Sequence, residues 1–307
     1  MTFRLSSSRL AACALALASL AGCAPEDGRA PAAEAQHEAV TFGKHRLSAG
    51  TRFEIGLLFS LDLETTMRPK DAPATAASRG AMGSITEVVM RDEVLAVDGD
   101  EPTRIRATYV KHRASERGEG GRWKEQPSPL EGRVYELARD GSRFTVKRAG
   151  GEAVSPEEAR DVEEQHRLAI FEADDDAVLA LAGRTMHVGE RAAPLERALG
   201  RMLSLGRGEK PGTEATVTLT APPDREGLAK LDVGMRVTMD DGPLKITFPL
   251  QGTALVTARE GALRKLHLEG PATIEAGGDA AKAMAIGGTG TMTLSLRFRF
   301  LEGSRAR

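Results

Sequence analysis

Residues 52–68 read RFEIGLLFSLDLETTMR, and this stretch decides the fold. Every second position from Phe53 to Leu63 carries a large apolar side chain, whereas the positions between them include Glu54 and Asp62. Side chains of a β-strand point alternately to opposite faces of a sheet, so this period of two predicts a strand with one buried face. The stretch therefore predicts a long strand at the edge of a hydrophobic core.

The same alternation recurs four times in the last third of the chain. The apolar positions of the four runs are, in order, Ala229, Leu231, Val233, Met235, Val237 and Met239; Leu244, Ile246, Phe248, Leu250, Ala254 and Val256; Leu266, Leu268, Ala272 and Ile274; and Met292, Leu294, Leu296, Phe298 and Phe300. Asp241-Gly242-Pro243 and Glu260-Gly261 separate the first three runs and are typical of turns. Successive strands joined in this way predict an antiparallel meander.

The middle of the chain is predicted to add weaker strands and two helices. Ser155 followed by Pro156 and Glu158 forms an N-cap with a capping box, and predicts a helix over 155–171. A second helix is predicted over 194–203. The remaining predictions are strands at 84–97, 103–112, 132–139 and 143–148, a hairpin turn at Asp140-Gly141, and loops at 69–79, 114–130 and 206–213.

These elements together predict the fold class. Strands of about fourteen residues span roughly 45 Å, and a sheet of that length must twist and curl. Its apolar face needs a cover, for which the capped helix is the natural lid. We therefore predict a mainly β fold: a long, strongly curved antiparallel sheet, open or half-barrel and of about ten strands, with one or two helices against its concave face.

The N-terminus carries an export signal. Leu20-Ala21-Gly22-Cys23 follows an apolar run from Leu10 to Leu20, which Arg4 and Arg9 precede or flank. This order resembles a bacterial lipoprotein signal peptide. In such a peptide the chain would be cleaved between Gly22 and Cys23, and Cys23 would be acylated. An ordinary secretory signal with an incidental cysteine is the alternative. Cys13 lies within the apolar run, so the processed chain would hold no second cysteine for a disulfide or for thiol catalysis.

The chain divides into four parts on this interpretation. They are a signal peptide over 1–22, the lipidated cysteine with a flexible stalk over 23–48, one β-rich domain over 49–301, and a disordered tail over 302–307. Several acyl chains would hold the protein at a membrane of the bacterial envelope. Ala24, which stands where an aspartate would favour the inner membrane, implies the outer membrane by resemblance to known sorting signals. The body would then lie in the periplasm or at the cell surface.

Charge limits the partners that the chain can have. The net charge is −2, and it is near −4 once Arg4 and Arg9 are removed with the signal. Without a basic surplus, we expect no nucleic-acid partner. The expected partners are the membrane, reached through the lipid anchor, the lipoprotein processing and sorting machinery, and a hydrophobic ligand.

In plan, the chain resembles the LolA/LolB/LppX-like half-barrel lipoproteins, which carry lipids and lipoproteins in the bacterial envelope. The resemblance rests on the lipobox at 20–23, the long alternating runs within 51–67 and 229–301, and the capped helix between them. The segment Leu181–Glu190 also resembles one found in uncharacterised envelope lipoproteins. The resemblance implies a curved sheet that holds an apolar ligand, and it identifies no ligand-binding residue.

Catalytic and metal-binding patterns were sought and not found. The sequence contains no Gly-x-Ser-x-Gly motif, and its histidines are scattered singly, so we predict no enzymatic activity, no metal and no cofactor. His166 lies on the predicted lid helix, where it could titrate near neutral pH. The alternative for His166 is a solvated position on the surface of the helix.

A ligand would contact large or flexible side chains on the apolar face. The candidates that share this face are Phe59, Met235, Met239, Phe248, Met292 and Phe298. These side chains could equally fill a packed core. The predicted function is accordingly a non-catalytic, membrane-anchored envelope lipoprotein that binds a lipid or acyl chain; the alternative is a structural or protein-interaction lipoprotein with a filled core.

The anchor assignment can be tested at Cys23. Cys23→Ser removes the thiol that acylation requires, so we expect the protein to stay unprocessed or to become soluble. Fractionation and the mass of the N-terminal peptide measure this. Normal processing together with retention in the membrane would refute the assignment.

Overall fold

The computed structural model describes residues 38–44, 47–99, 101–118, 121–140, 143–167, 178–204, 213–240, 244–278 and 280–301. The signal peptide, Cys23 and the predicted tail lie outside these residues. The strands are β1 (Ala39–Thr41), β2 (Arg52–Pro69), β3 (Ser78–Asp98), β4 (Glu101–Arg117), β5 (Trp123–Gln126), β6 (Val134–Asp140), β7 (Arg143–Arg148), β8 (Thr185–His187), β9 (Thr213–Ala221), β10 (Leu228–Asp240), β11 (Leu244–Thr257), β12 (Leu263–Ala276) and β13 (Met284–Phe300). The helices are α1 (Pro156–Arg167), α2 (Ala193–Ser204) and α3 (Ala280–Ala283).

One antiparallel sheet of 11 strands contains all but β1 and β8. Its order is β7-β6-β4-β3-β2-β13-β12-β11-β10-β9, and β5 pairs with β4 on the edge that β6 also uses. Within the described ranges its two end strands, β7 and β9, do not pair with each other, so the sheet is open and not a closed barrel. The predicted fold class is confirmed.

The first and last long strands of the domain lie side by side. β2 pairs with β13 along its whole length, from Phe53 opposite Phe300 to Pro69 opposite Met284. This pairing joins the N-terminal strands to the C-terminal meander. The inward side chains of both groups consequently form a single hydrophobic cluster.

The two faces of the sheet differ as the alternation predicts. Inward residues such as Leu61 and Leu63 are buried. The outward face carries ion pairs between strands. The carboxylate of Glu54 on β2 lies 2.8 Å from Arg91 Nε of β3 and 2.7 Å from Arg299 Nη2 of β13. Exposed ion pairs add little stability each, but charged outward positions oppose a slip of register that would turn them inward.

Glycines on the apolar face allow the sheet to bend. A Cβ atom on Gly252 would lie 1.8 Å from the carbonyl oxygen of His267, and one on Gly270 would lie 2.0 Å from that of Pro249. Gly290 is similar, with the carbonyl oxygen of Asp62 at 2.0 Å. The neighbouring backbone therefore occupies the space of a side chain at these points. Such glycines are the usual means by which a long sheet curves.

The two long helices lie at the two ends of the sheet, where α1 contacts β7 and α2 contacts β9, whereas the short α3 contacts β12 and β13. The helix predicted over 194–203 is confirmed as α2, with Leu195 and Leu199 buried; the side chain of Met202 lies outside the described residues. The helix predicted over 155–171 is described from Pro156 to Arg167. The rest of the predicted range, 168–171, is not among the described residues.

Three short strands differ from the sequence predictions. The stalk was predicted to run to residue 48, but β1 lies within it and pairs with β8, with Val40 and Phe42 buried. β5 falls inside the predicted loop at 114–130, and all four of its residues are exposed. β5 is held against β4 by its backbone ladder and by the side-chain bond of Gln126 to Glu116, and it buries no side chain, so its sequence shows no alternation.

None of the helices within the described ranges is both long and apolar enough to span a membrane.

The bending role of the glycines predicts opposite results for two glycine substitutions. Gly252→Ala would drive a methyl group into the backbone of β12, so we expect the free energy of unfolding to fall by about 1–3 kcal/mol. Gly56→Ala serves as the control, because the nearest atom to its new Cβ, the Cβ of Arg297, would be 3.8 Å away. We expect Gly56→Ala to be neutral or stabilising by about 0.5 kcal/mol in urea unfolding. An equal loss of unfolding free energy in Gly252→Ala and Gly56→Ala would contradict the bending role of the inward glycines.

Candidate functional site

The candidate site is the apolar face of the sheet with the helix α1 at one end of it. All six residues predicted to contact a ligand point to this face. Phe59, Met235, Phe248, Met292 and Phe298 are at most 4% exposed, and Met239 is partly buried.

The pairing of the strands divides these six residues into two groups. Met235, Met239 and Phe248 lie on the adjacent strands β10 and β11. Phe59, Met292 and Phe298 lie on β2 and β13, and β12 separates the two groups. The face therefore offers a broad apolar surface rather than one compact spot.

Polar residues hold α1 at the β7 end of the sheet. The backbone N–H of Glu158 donates to Ser155 Oγ at 3.1 Å, which is the first half of the predicted capping box. The carboxylate of Glu158 turns instead towards the sheet, where it accepts from the hydroxyl of Tyr135 at 2.5 Å and from Arg148 Nη2 at 2.8 Å. Arg133 Nη1 donates to the same carboxylate at 3.1 Å.

This cluster shifts the ionisation of its members. Hydrogen bonds from Arg148 lower the pKa of Glu158 to about 2, although its burial alone would raise that pKa. Burial and the bond to Glu158 raise the pKa of Tyr135 to about 12. At neutral pH the cluster is therefore a carboxylate held by two guanidinium groups and a phenol.

A second polar contact ties the last turn of α1 to β4. The side-chain amide of Gln165 lies 2.8 Å from His112 Nε2, and Ser128 Oγ lies 2.5 Å from His112 Nδ1. Burial lowers the pKa of His112, so its imidazole is neutral at pH 7. With the amide donating to Nε2, Nδ1 carries the proton and donates to Ser128.

His166, near the end of α1, contacts an acidic residue inside the apolar face. Both His166 and Asp92 of β3 are nearly inaccessible to solvent, and His166 Nε2 lies 3.4 Å from Asp92 Oδ2. His166 Nδ1 lies 2.9 Å from the carbonyl oxygen of Val162 and must donate to it. A neutral imidazole would then turn a lone pair towards the carboxylate, whereas a protonated one would turn an N–H towards it.

The ionisation of His166 reflects this contact. Burial by itself lowers the pKa of His166, but the charge of Asp92, the contact with its carboxylate and the bond to Val162 together raise it above its ordinary value. Of the two interpretations from sequence, a solvated position on the helix surface is wrong, because α1 turns His166 towards the sheet.

Tyr109 of β4 completes this buried region. Its ring is fully buried and makes edge contacts with Tyr135 and His166, at centroid distances of 5.6 and 6.0 Å. Burial, with the nearby charge of Asp92, raises the pKa of Tyr109, so the phenol stays protonated. Asp92 and Tyr109 were not predicted as site residues. The parity of Asp92 with the apolar Val88, Met90 and Val94 was the available signal.

Across the part of the chain that the structure describes, no group of three or more histidine, cysteine, aspartate or glutamate residues is placed to hold a metal ion. Cys23, predicted to be lipidated, lies outside the described residues.

Comparison with known proteins adds little to this description. No protein-family model matches the chain, and no curated protein matches it. Among solved structures, the chain is similar to one described as lipid-protein interactions in lipovitellin, with a TM-score of 0.36 and 8% sequence identity over 85% of this chain. It spans about a quarter of the length of that protein, 26%. A likeness of this degree carries no argument about function.

The cluster around Glu158 predicts a pH-dependent stability. Because the folded-state pKa of Glu158 is about 2, against 4.5 ordinarily, its contribution is complete above pH 4.5 and is lost as the pH falls towards 2. Glu158→Gln should therefore lower the free energy of unfolding at pH 7 by about 2–3 kcal/mol, and the deficit should shrink between pH 5 and pH 2. Urea unfolding at several pH values measures both effects.

Glu157→Gln is the matched control, because Glu157 is the exposed neighbour of Glu158 in the same helix turn. We expect it to change stability by less than about 0.5 kcal/mol. A deficit in Glu158→Gln that does not depend on pH would show that the carboxylate charge is not what holds α1.

Proposed function

We propose that this chain is a non-catalytic envelope lipoprotein, anchored through Cys23, whose apolar concave face binds a lipid or acyl chain. Residues Leu20 to Cys23 support the anchor. The extent of the apolar face supports the ligand, because long aliphatic chains are bound by broad apolar surfaces that exclude water.

The observation that carries the proposal is the polar seat of α1, by which we mean the contacts of Glu158, Gln165 and His166 with the sheet. Apart from Pro156, the apolar residues of α1 are Ala159 and Val162, and only Val162 is fully buried. The other contacts of this helix include the polar ones of Glu158, Gln165 and His166 and the edge contact of the His166 ring with Tyr109. Several of these groups can be hydrated when α1 moves away from the sheet. The helix itself therefore exposes little apolar surface on opening.

The other helix is held differently. α2 buries Leu195, Ala198 and Leu199 against the core, so lifting it would expose a continuous apolar stripe to water. The contrast makes α1 the movable cover and α2 the permanent one. A helix that opens at low cost over an apolar face is what a carrier of hydrophobic ligands needs.

The test is ligand binding by the full chain carrying Cys23→Ser. We expect lipid to co-purify in native mass spectrometry and the apolar dye Nile red to bind. Met239→Trp, on the apolar face, should weaken dye binding about tenfold, which is about 1.4 kcal/mol. Met239 is chosen because it is partly buried and therefore tolerates a larger side chain better than the buried candidates.

Leu58→Trp is the matched control, since Leu58 is 37% exposed on the outward face. It should leave dye binding unchanged. If no lipid co-purifies and Nile red does not bind the parent chain, the core is filled and the protein is a structural or interaction lipoprotein. If Met239→Trp and Leu58→Trp bind Nile red with equal affinity, the apolar face is not the binding surface.

A further inference from the structure

Several buried polar groups have no hydrogen-bond partner among the described residues, and two of them lie inside the apolar face near α1. One is the hydroxyl of Tyr109, which is 0% exposed, and the other is the carboxylate of Asp92, which is 2% exposed. Asp92 has the ion contact with His166, but neither of its oxygens accepts a hydrogen bond of normal geometry from a described residue. Protein interiors pair nearly all such groups, because an unpaired buried one is costly.

The two groups lie close together beneath α1. Tyr109 is directly opposite Met90, and Asp92 is the next inward residue along β3. His166 joins them, since its ring contacts that of Tyr109 and its Nε2 reaches Asp92. Apolar residues of β3, β4 and α1, including Val94 and Val162, surround them.

The charges around this spot disfavour an anion. Asp92 is the acidic group at its centre, and Asp161 of α1 also acts electrostatically on Tyr109. The basic group in contact, His166, is already engaged by Asp92 and Val162. The guanidinium groups of Arg133 and Arg148 pair with Glu158, and Arg148 pairs also with Glu152. Burial lowers the pKa of His112, so these neighbours offer an anion little positive charge.

We infer that Asp92 and Tyr109 bind the polar end of the ligand, and that this end is a neutral hydroxyl-bearing head group such as the glycerol of a monoacylglycerol. The inference rests on the proposed lipid-binding function. An alcohol can donate to a carboxylate oxygen of Asp92 and accept from the hydroxyl of Tyr109, which pairs both groups at once. The carboxylate of a free fatty acid could accept from Tyr109, but Asp92 would repel it.

The experiment measures displacement of Nile red from the full chain carrying Cys23→Ser by 1-monooleoylglycerol and by oleate, below the concentrations at which either aggregates. The two probes share one acyl chain and differ in the head group. We expect 1-monooleoylglycerol to bind about tenfold more tightly, because a site built around hydrogen bonds discriminates by its polar groups. Tyr109→Phe should weaken 1-monooleoylglycerol about 5-fold and leave oleate unchanged. Asp92→Asn should tighten oleate.

Tyr135→Phe is the matched control. It removes an equally buried phenol hydroxyl, but one that Glu158 already engages, so the preference between the two lipids should stay as in the parent chain. Equal affinity for the two lipids in the parent chain, or unchanged affinity for 1-monooleoylglycerol in Tyr109→Phe, would overturn the inference and indicate that water pairs these groups. Failure of every probe, Nile red included, would instead remove the proposed function.

Discussion

The pairing of β2 with β13 is the interaction on which the rest of the structure depends. The strands that precede and follow it in the sheet come from opposite ends of the chain, and this one ladder joins them. Without it, the N-terminal strands and the C-terminal meander would each have an open edge and half of a core. With it, one apolar face runs from β7 to β9, and the inward residues of both halves bury one another.

The curvature of the sheet is limited by the room that side chains have on its concave, apolar face. Side chains crowd on the concave side of a bent sheet, and residues Gly252, Gly270 and Gly290 relieve the crowding where a Cβ atom would meet the backbone of the next strand. The outward face meets no such limit. It carries charged side chains that pair across strands, such as Glu54 with Arg91 and Arg299.

The two covering helices connect this architecture to function. α2 is held by apolar burial and α1 largely by charge and hydrogen bonds, so the cost of lifting each helix differs in kind. The polar seat of α1 also places Asp92 and Tyr109 inside an otherwise apolar region. A surface for an acyl chain and a place for its polar end would thus lie on one face, beneath the helix that is easiest to displace.

The alternation of side chains by itself determined the long strands β2, β3 and β4, the meander of β10 to β13 and the hairpin of β6 and β7. Helical spacing and caps such as Ser155 determined the two long helices, because these too depend on local sequence. The six ligand candidates also followed from parity alone. Tertiary structure decided what depends on distant partners. The β2–β13 ladder, the exposed strand β5 and the β1–β8 pair each depend on a partner strand that local composition does not reveal. Likewise, the sequence put Asp92 in phase with apolar residues, but only the packing of α1 showed that His166 meets it and that the ring of Tyr109 contacts His166.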